Sequence, residues 1–183
     1  LNEDGLLARA EILREKGTNR QAFFRGEVDK YSWVDLGSSY VLSDILAAML
    51  LAQLECFDPV FQKRRYLWEQ YRTDLAAWAE TRGVQIPAVP AHCQQAYHLF
   101  YLLMPSEALR DQFIAYLRGH GIHAVFHYLP LHLSPMGRRF GGQGGDCPVT
   151  EAACGRLVRL PLYFGLKEEE QQYIIQTVTD FSW

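Results

Sequence analysis

The sequence predicts an α+β fold: a short sheet flanked by helices, attached to helices that belong with a larger body. Two strand-like apolar runs, residues 97–104 and 122–128, alternate with helical patterns, and a third run follows at 159–162. Residues 43–55, SDILAAMLLAQLE, are apolar on most sides of a helix, so the helix expects burial between two bodies. At 183 residues and 49% hydrophobic, the chain can bury one good core.

The elements follow in order. Residues 1–16 carry Leu6, Leu7, Ile12 and Leu13 at helical spacing among charges, and Gly17 stops that helix. Residues 18–35 mix cations with Phe23, Phe24, Tyr31 and Trp33 without a period, as a ligand-binding loop would. Ser43 is placed to cap the central helix, and Asp44 suits its positive end. After a break at Asp58-Pro59, a helix to about residue 80 has an apolar stripe of Phe61, Trp68, Tyr71, Leu75 and Trp78, and Gly83 ends it. Lys63, Arg64 and Arg65 belong on its wet side. Ser106 opens the next helix, with Leu109, Phe113, Tyr116 and Leu117 inward. A Gly- and Pro-rich loop spans 129–148, a short helix lies around 151–157, and the last helix, about 167–181, buries Ile174, Val178 and Phe181. The expected division is 1–42, 43–82 as linking helices, and 83–183 as a small α+β domain.

Composition excludes several classes. A net charge of -3 does not suit a nucleic-acid surface, and no apolar run spans a bilayer. Cys56, Cys93, Cys147 and Cys154 lack CxxC pairing and read as free thiols of a reducing cytosol. The chain opens on Leu1, not Met, and reads as the C-terminal part of a longer polypeptide.

The motif GSSYxxSDxxAAxxxAQLE (37–55), the preceding EKGTNRxxFFRGxVDKYxWxDxGSSY, and HAVFHYLPLHLSP (123–135) resemble the DegT/DnrJ/EryC1/StrS sugar aminotransferases. The resemblance covers essentially the whole chain. It implies the C-terminal part of a fold-type I enzyme using pyridoxal 5'-phosphate, a cytoplasmic homodimer acting on a dTDP-sugar with L-glutamate as amino donor. The implied reaction is amino transfer to C4 of dTDP-4-dehydro-6-deoxy-D-glucose. In that family the Schiff-base lysine precedes the position of Leu1. Lys16, Lys30, Lys63 and Lys167 are the lysines here, and none matches its motif, so the chain alone should be inactive.

The resemblance also marks residues. The turn before the central helix binds the phosphate of the neighbouring subunit's cofactor in relatives, through an asparagine where this chain has Ser39; Ser38 and Ser39 are the cofactor-binding candidates, with the choice between them open. His127 and Tyr128 are carried over as pocket residues for substrate. Thr18, Asn19, Arg20 and Arg25 are candidates for the sugar nucleotide, since arginine pairs well with diphosphate. His123, His127 and His132 invite a zinc site, but no Asp, Glu or Cys completes an evident set, so no metal is expected. His132 can equally hold its loop, and His98 reads as a core histidine. The rival is a non-catalytic α+β binding module, against which the unpartnered apolar helix argues.

Overall fold

A computed structural model describes residues 3–183. The chain divides into two compact units, one ending at Cys56 and one running from Phe57 to Trp183. The expected first helix has its first two residues outside the described ones.

In the first unit a 3-10 turn, Asp4–Leu6, leads into α1, Leu7–Arg14. The chain then reverses through Lys16 (φ 62°) and Gly17 (φ 76°). Gly17 must be glycine: a Cβ there would lie 1.6 Å from the Asp35 carbonyl oxygen. Its own carbonyl accepts from the N–H groups of Val34 and Asp35 at 2.8 and 2.9 Å. The returning segment is thus laid against the end of α1, where Ser38 N–H donates to Leu13 and Tyr40 N–H to Arg14. Between the two lies α2, Arg20–Phe24, a short helix in a stretch expected to be irregular. α3, Asp44–Glu55, follows, and the Ser43 hydroxyl accepts from the Leu46 N–H at 3.4 Å, as its sequence predicts. Within the described residues α3 has no buried residue, and Ile45 is 76% exposed, so the expected burial between two bodies is not supplied by this chain. Its apolar faces have no covering element among the described residues.

The second unit begins with α4, Phe57–Asp74, and α5, Ala76–Arg82, where one helix was expected; Gly83 (φ 65°) closes the pair. These helices pack with this unit instead of acting as linkers, because Leu67, Trp68, Tyr71, Leu75 and Trp78 enter its core. The sheet has three antiparallel strands, β1 (Phe100–Leu103), β2 (Val125–Phe126) and β3 (Leu157–Leu160), in the order β1-β3-β2. They are shorter than the apolar runs suggested, since pairing with β3 sets their length. α6, Glu107–Gly119, is capped by the Ser106 hydroxyl, which accepts from Leu109 N–H. The loop after β2 contains α7, Pro135–Arg139, then α8, Pro148–Arg156, leads into β3, and α9, Glu168–Asp180, ends the fold.

One face of the sheet supplies Phe100, Leu102, Val158 and Leu160 to the core, against Phe113 and Leu117 of α6 and Ile174 and Val178 of α9. Two buried polar groups are satisfied by backbone: Tyr71 donates to Pro161 O at 2.9 Å, and Gln171 to Leu67 O at 2.6 Å. Burial pushes the Tyr71 phenol up. Arg64 departs from its expected wet position; its guanidinium donates to the carbonyls of Tyr97 and His98 and, at 3.4 Å, to Leu162. His98 is exposed, not core, because β1 begins only at Phe100.

Candidate active site

The close approach of Gly17 and Gly37 builds the site in the first unit. A Cβ on Gly37 would lie 2.1 Å from Gly17 N, so glycine at both positions lets the 33–40 segment sit against the α1 turn. Ser39 is thereby bridged to Glu15 and carried to the start of α3. There a cleft of about 510 Å³ is lined by Thr18, Arg20 and Ser39 together with Arg14, Lys16 and Ser43, and by the carboxylates of Glu15 and Asp44. Three cations face two carboxylates, and Ser39 and Ser43 add hydroxyls that can donate. This donor set, beside the N-terminus of a 12-residue helix, suits a phosphate. Ser39 lines the cleft and Ser38 does not.

The remaining candidates in this unit are committed to structure. Asn19 donates to Lys30 O and accepts from Ser32 N–H at 2.7 Å, bracing the loop. Thr18 donates to Glu15 O at 2.7 Å. Arg25 is paired with Glu11 and Glu27, and its hydrogen bond holds the Glu27 carboxyl below its ordinary range. Arg20 lies 5.2 Å from the Phe24 ring, and none of the ion pairs among the described residues includes it. Arg14, Lys16 and Ser43 were missed as site residues: their approach depends on the positive-φ turn, which only Gly17 signals.

In the second unit, His127 and Tyr128 follow β2 directly, with ring centroids 5.5 Å apart. His127 Nδ1 is buried and has no hydrogen-bond partner, while Tyr128 is 76% exposed. A buried imidazole nitrogen without a partner is costly unless something else pairs it. His132 takes the loop-holding role: its Nε2 lies 2.8 Å from Glu151 Oε1. Glu151 also accepts from Gly145 N–H at 2.9 Å, and these bonds, the histidine's first, lower its pKa. The histidines do not converge, and among the described residues no three His, Cys, Asp or Glu side chains are grouped to hold a metal. No helix among the described residues is long and apolar enough to cross a membrane.

Comparison with known proteins bears on the family and the fold. The chain is 28% identical over 182 residues to dTDP-4-dehydro-2,3,6-trideoxy-D-glucose 4-aminotransferase of Saccharopolyspora spinosa, covering 96% of this chain and 44% of that one. Among solved structures, DesV of S. venezuelae superposes with a TM-score of 0.82 at 25% identity, over 97% of this chain and 44% of that one. A protein from Streptococcus pneumoniae described as a sugar aminotransferase, solved in its PLP form, gives 0.81 at 24%, over 98% and 44%. The chain spans less than half the length of the curated relatives it matches. The fold is therefore α+β, the portion of a fold-type I aminotransferase that these structures share with it. The family model described as "DegT/DnrJ/EryC1/StrS aminotransferase family" matches residues 1–179, and this chain belongs to that family.

Proposed function

We propose that this chain is the C-terminal portion of a nucleotide-sugar aminotransferase that uses pyridoxal 5'-phosphate. Its reaction moves the amino group of L-glutamate to C4 of dTDP-4-dehydro-6-deoxy-D-glucose. The products are 2-oxoglutarate and dTDP-4-amino-4,6-dideoxy-D-galactose, the step made by the corresponding transaminase of enterobacterial common antigen synthesis. The observation that carries the reading is the family match along residues 1–179 together with a phosphate-suited cleft at Ser39. The motifs at 15–40 and 123–135 support the finer assignment by resemblance.

When bound, the cofactor supplies an electron sink for breaking the donor's Cα–H bond. The residues of this chain bind and orient. Ser39 and Ser43 donate hydroxyl hydrogens to the cofactor phosphate, contributed by one subunit of a homodimer to its neighbour. Arg20 offers a fork of donors to the sugar nucleotide. His127 and Tyr128 face the sugar, with the buried Nδ1 of His127 able to pair a hydroxyl or the ketone oxygen. Ser38, Thr18, Asn19 and Arg25 brace the first unit through the contacts described above. The resident compartment is the cytoplasm, where free thiols stay reduced.

The reaction is tested with the longer polypeptide, ¹⁵N-labelled L-glutamate and the dTDP-ketosugar. A product carrying ¹⁵N at C4, with an H4 coupling pattern of galacto configuration, is expected. The same assay with residues 1–183 alone should give no product, because none of its four lysines matches the cofactor lysine. A gluco product overturns the finer assignment, and absence of any amine from the longer protein overturns the reaction.

A further inference from the structure

The open face of the sheet in the second unit carries a group that nothing described so far uses. Arg159 sits at the middle of β3, paired with Tyr101 of β1 on one side and Val125 of β2 on the other. It alternates with Val158 and Leu160, which enter the core, so its side chain leaves the sheet on the opposite face. The guanidinium has little to hold it. Its one side-chain hydrogen bond among the described residues, from Nη2 to Phe126 O, is long at 3.4 Å, and its Nε is buried without a partner there. The Tyr128 ring lies 5.9 Å away. None of the ion pairs among the described residues includes Arg159.

A cleft of about 230 Å³ lies against this arginine, and the other polar side chains on its wall are His98 and His123. The rest of the wall is apolar, from Val125, Pro161 and Leu162 among others, and no carboxylate lines it. A guanidinium with no carboxylate beside it in the wall, flanked by two imidazoles that can donate, forms a site for an oxyanion. A planar carboxylate would be saturated by the arginine fork alone. Donors on three separate segments (the entry to β1, the entry to β2, and β3) instead surround an anion with acceptor oxygens in three directions.

We propose that this cleft is a phosphoryl-binding subsite centred on Arg159, with His98 and His123 as its flanking donors. Under the aminotransferase reading, on which only the ligand's source rests, the group held is the diphosphate of the nucleotide sugar. Tyr128, with its ring 5.9 Å from Arg159 and 5.5 Å from the His127 ring, then joins the sugar pocket to the phosphate anchor.

The test reads binding directly and needs neither cofactor nor turnover. The 183-residue chain is titrated with inorganic phosphate, dTDP and glutarate while the imidazole signals of His98 and His123 and the guanidinium signals of Arg159 are followed by NMR. Phosphate should shift all three saturably, and glutarate should be the weaker ligand. Arg159→Gln should weaken phosphate by about tenfold or more, since a hydrogen bond to a charged group is lost. Arg159→Lys should keep part of the affinity as a point charge. His98→Ala and His123→Ala, both at exposed positions outside the core, give a second measure should the arginine variants unfold. dTDP binding more tightly than phosphate and shifting Tyr128 identifies a nucleotide as the source; equal affinity identifies phosphate alone. Glutarate binding as well as phosphate, or shifts that persist in Arg159→Gln, overturn the proposal. Failure here leaves the ¹⁵N-transfer result untouched, and failure of that assay leaves this titration standing.

Discussion

A serine hydroxyl at a phosphate and an imidazole at a sugar fail in different ways. In the full-length enzyme, Ser39→Ala removes a donor to a charged group and should lower cofactor affinity by roughly tenfold, measured by absorbance titration. Ser38→Ala should change it little, because Ser38 does not line the cleft. His127→Ala should leave the glutamate half-reaction intact and lower turnover of the sugar. Equal cofactor affinity in the Ser39 variant and the parent would make the turn merely structural. Glu151 carries a prediction of another kind. Its carboxyl is held below the ordinary range first by His132 and then by the Gly145 N–H. A depressed carboxyl contributes order that is present above its unfolded pKa and is lost as pH falls through the folded one. Amide-exchange protection at Gly145 should therefore hold at neutral pH and fall once pH drops below the ordinary carboxylate range. Glu151→Gln keeps an acceptor oxygen that does not titrate, so protection at Gly145 should no longer fall with pH in that variant.

At the scale of elements, helix starts were legible because their chemistry is local. Ser43 and Ser106 each accept from the N–H three residues on, as a side chain two bonds from its own backbone can. Ser106→Ala should cost about 1 kcal/mol and lower the unfolding midpoint by roughly 2–4 °C, read by circular dichroism. An unchanged midpoint would mean that the cap adds nothing to α6. Strand lengths were not legible, since Val125–Phe126 pairs only where β3 runs beside it. Arg64 was misplaced for a related reason: the carbonyls it reaches lie 33, 34 and 98 positions away. In the candidate site, Ser39 and His127 came from resemblance, whereas Lys16 and Arg14 enter through a backbone reversal that periodicity does not express. Arg159 was hidden in a run read only as a strand.

For the whole molecule, the apolar surface of α3 is the feature that asks for a partner. Met49, Leu51 and Leu54 are each 58% exposed. Contiguous apolar surface of this kind drives association, and a second copy of the chain offers the same face in return. Sedimentation of the 183-residue chain should show a monomer–dimer equilibrium within the micromolar range, and Met49→Glu with Leu54→Glu should shift it to monomer. A monomer at every concentration for the parent chain would remove α3 as an interface.

The strand order β1-β3-β2 also sets a timetable for synthesis. The strand made last is the one in the middle, so β1 and β2 leave the ribosome before the strand that joins them. Phe100 and Leu102 must wait until Leu160 and Val158, their register partners, have been made. The sheet of the second unit therefore closes only after β3 has been made. Until then its nascent form displays two unpaired edges and an uncovered apolar face, the state in which a trigger-type chaperone would find most to hold.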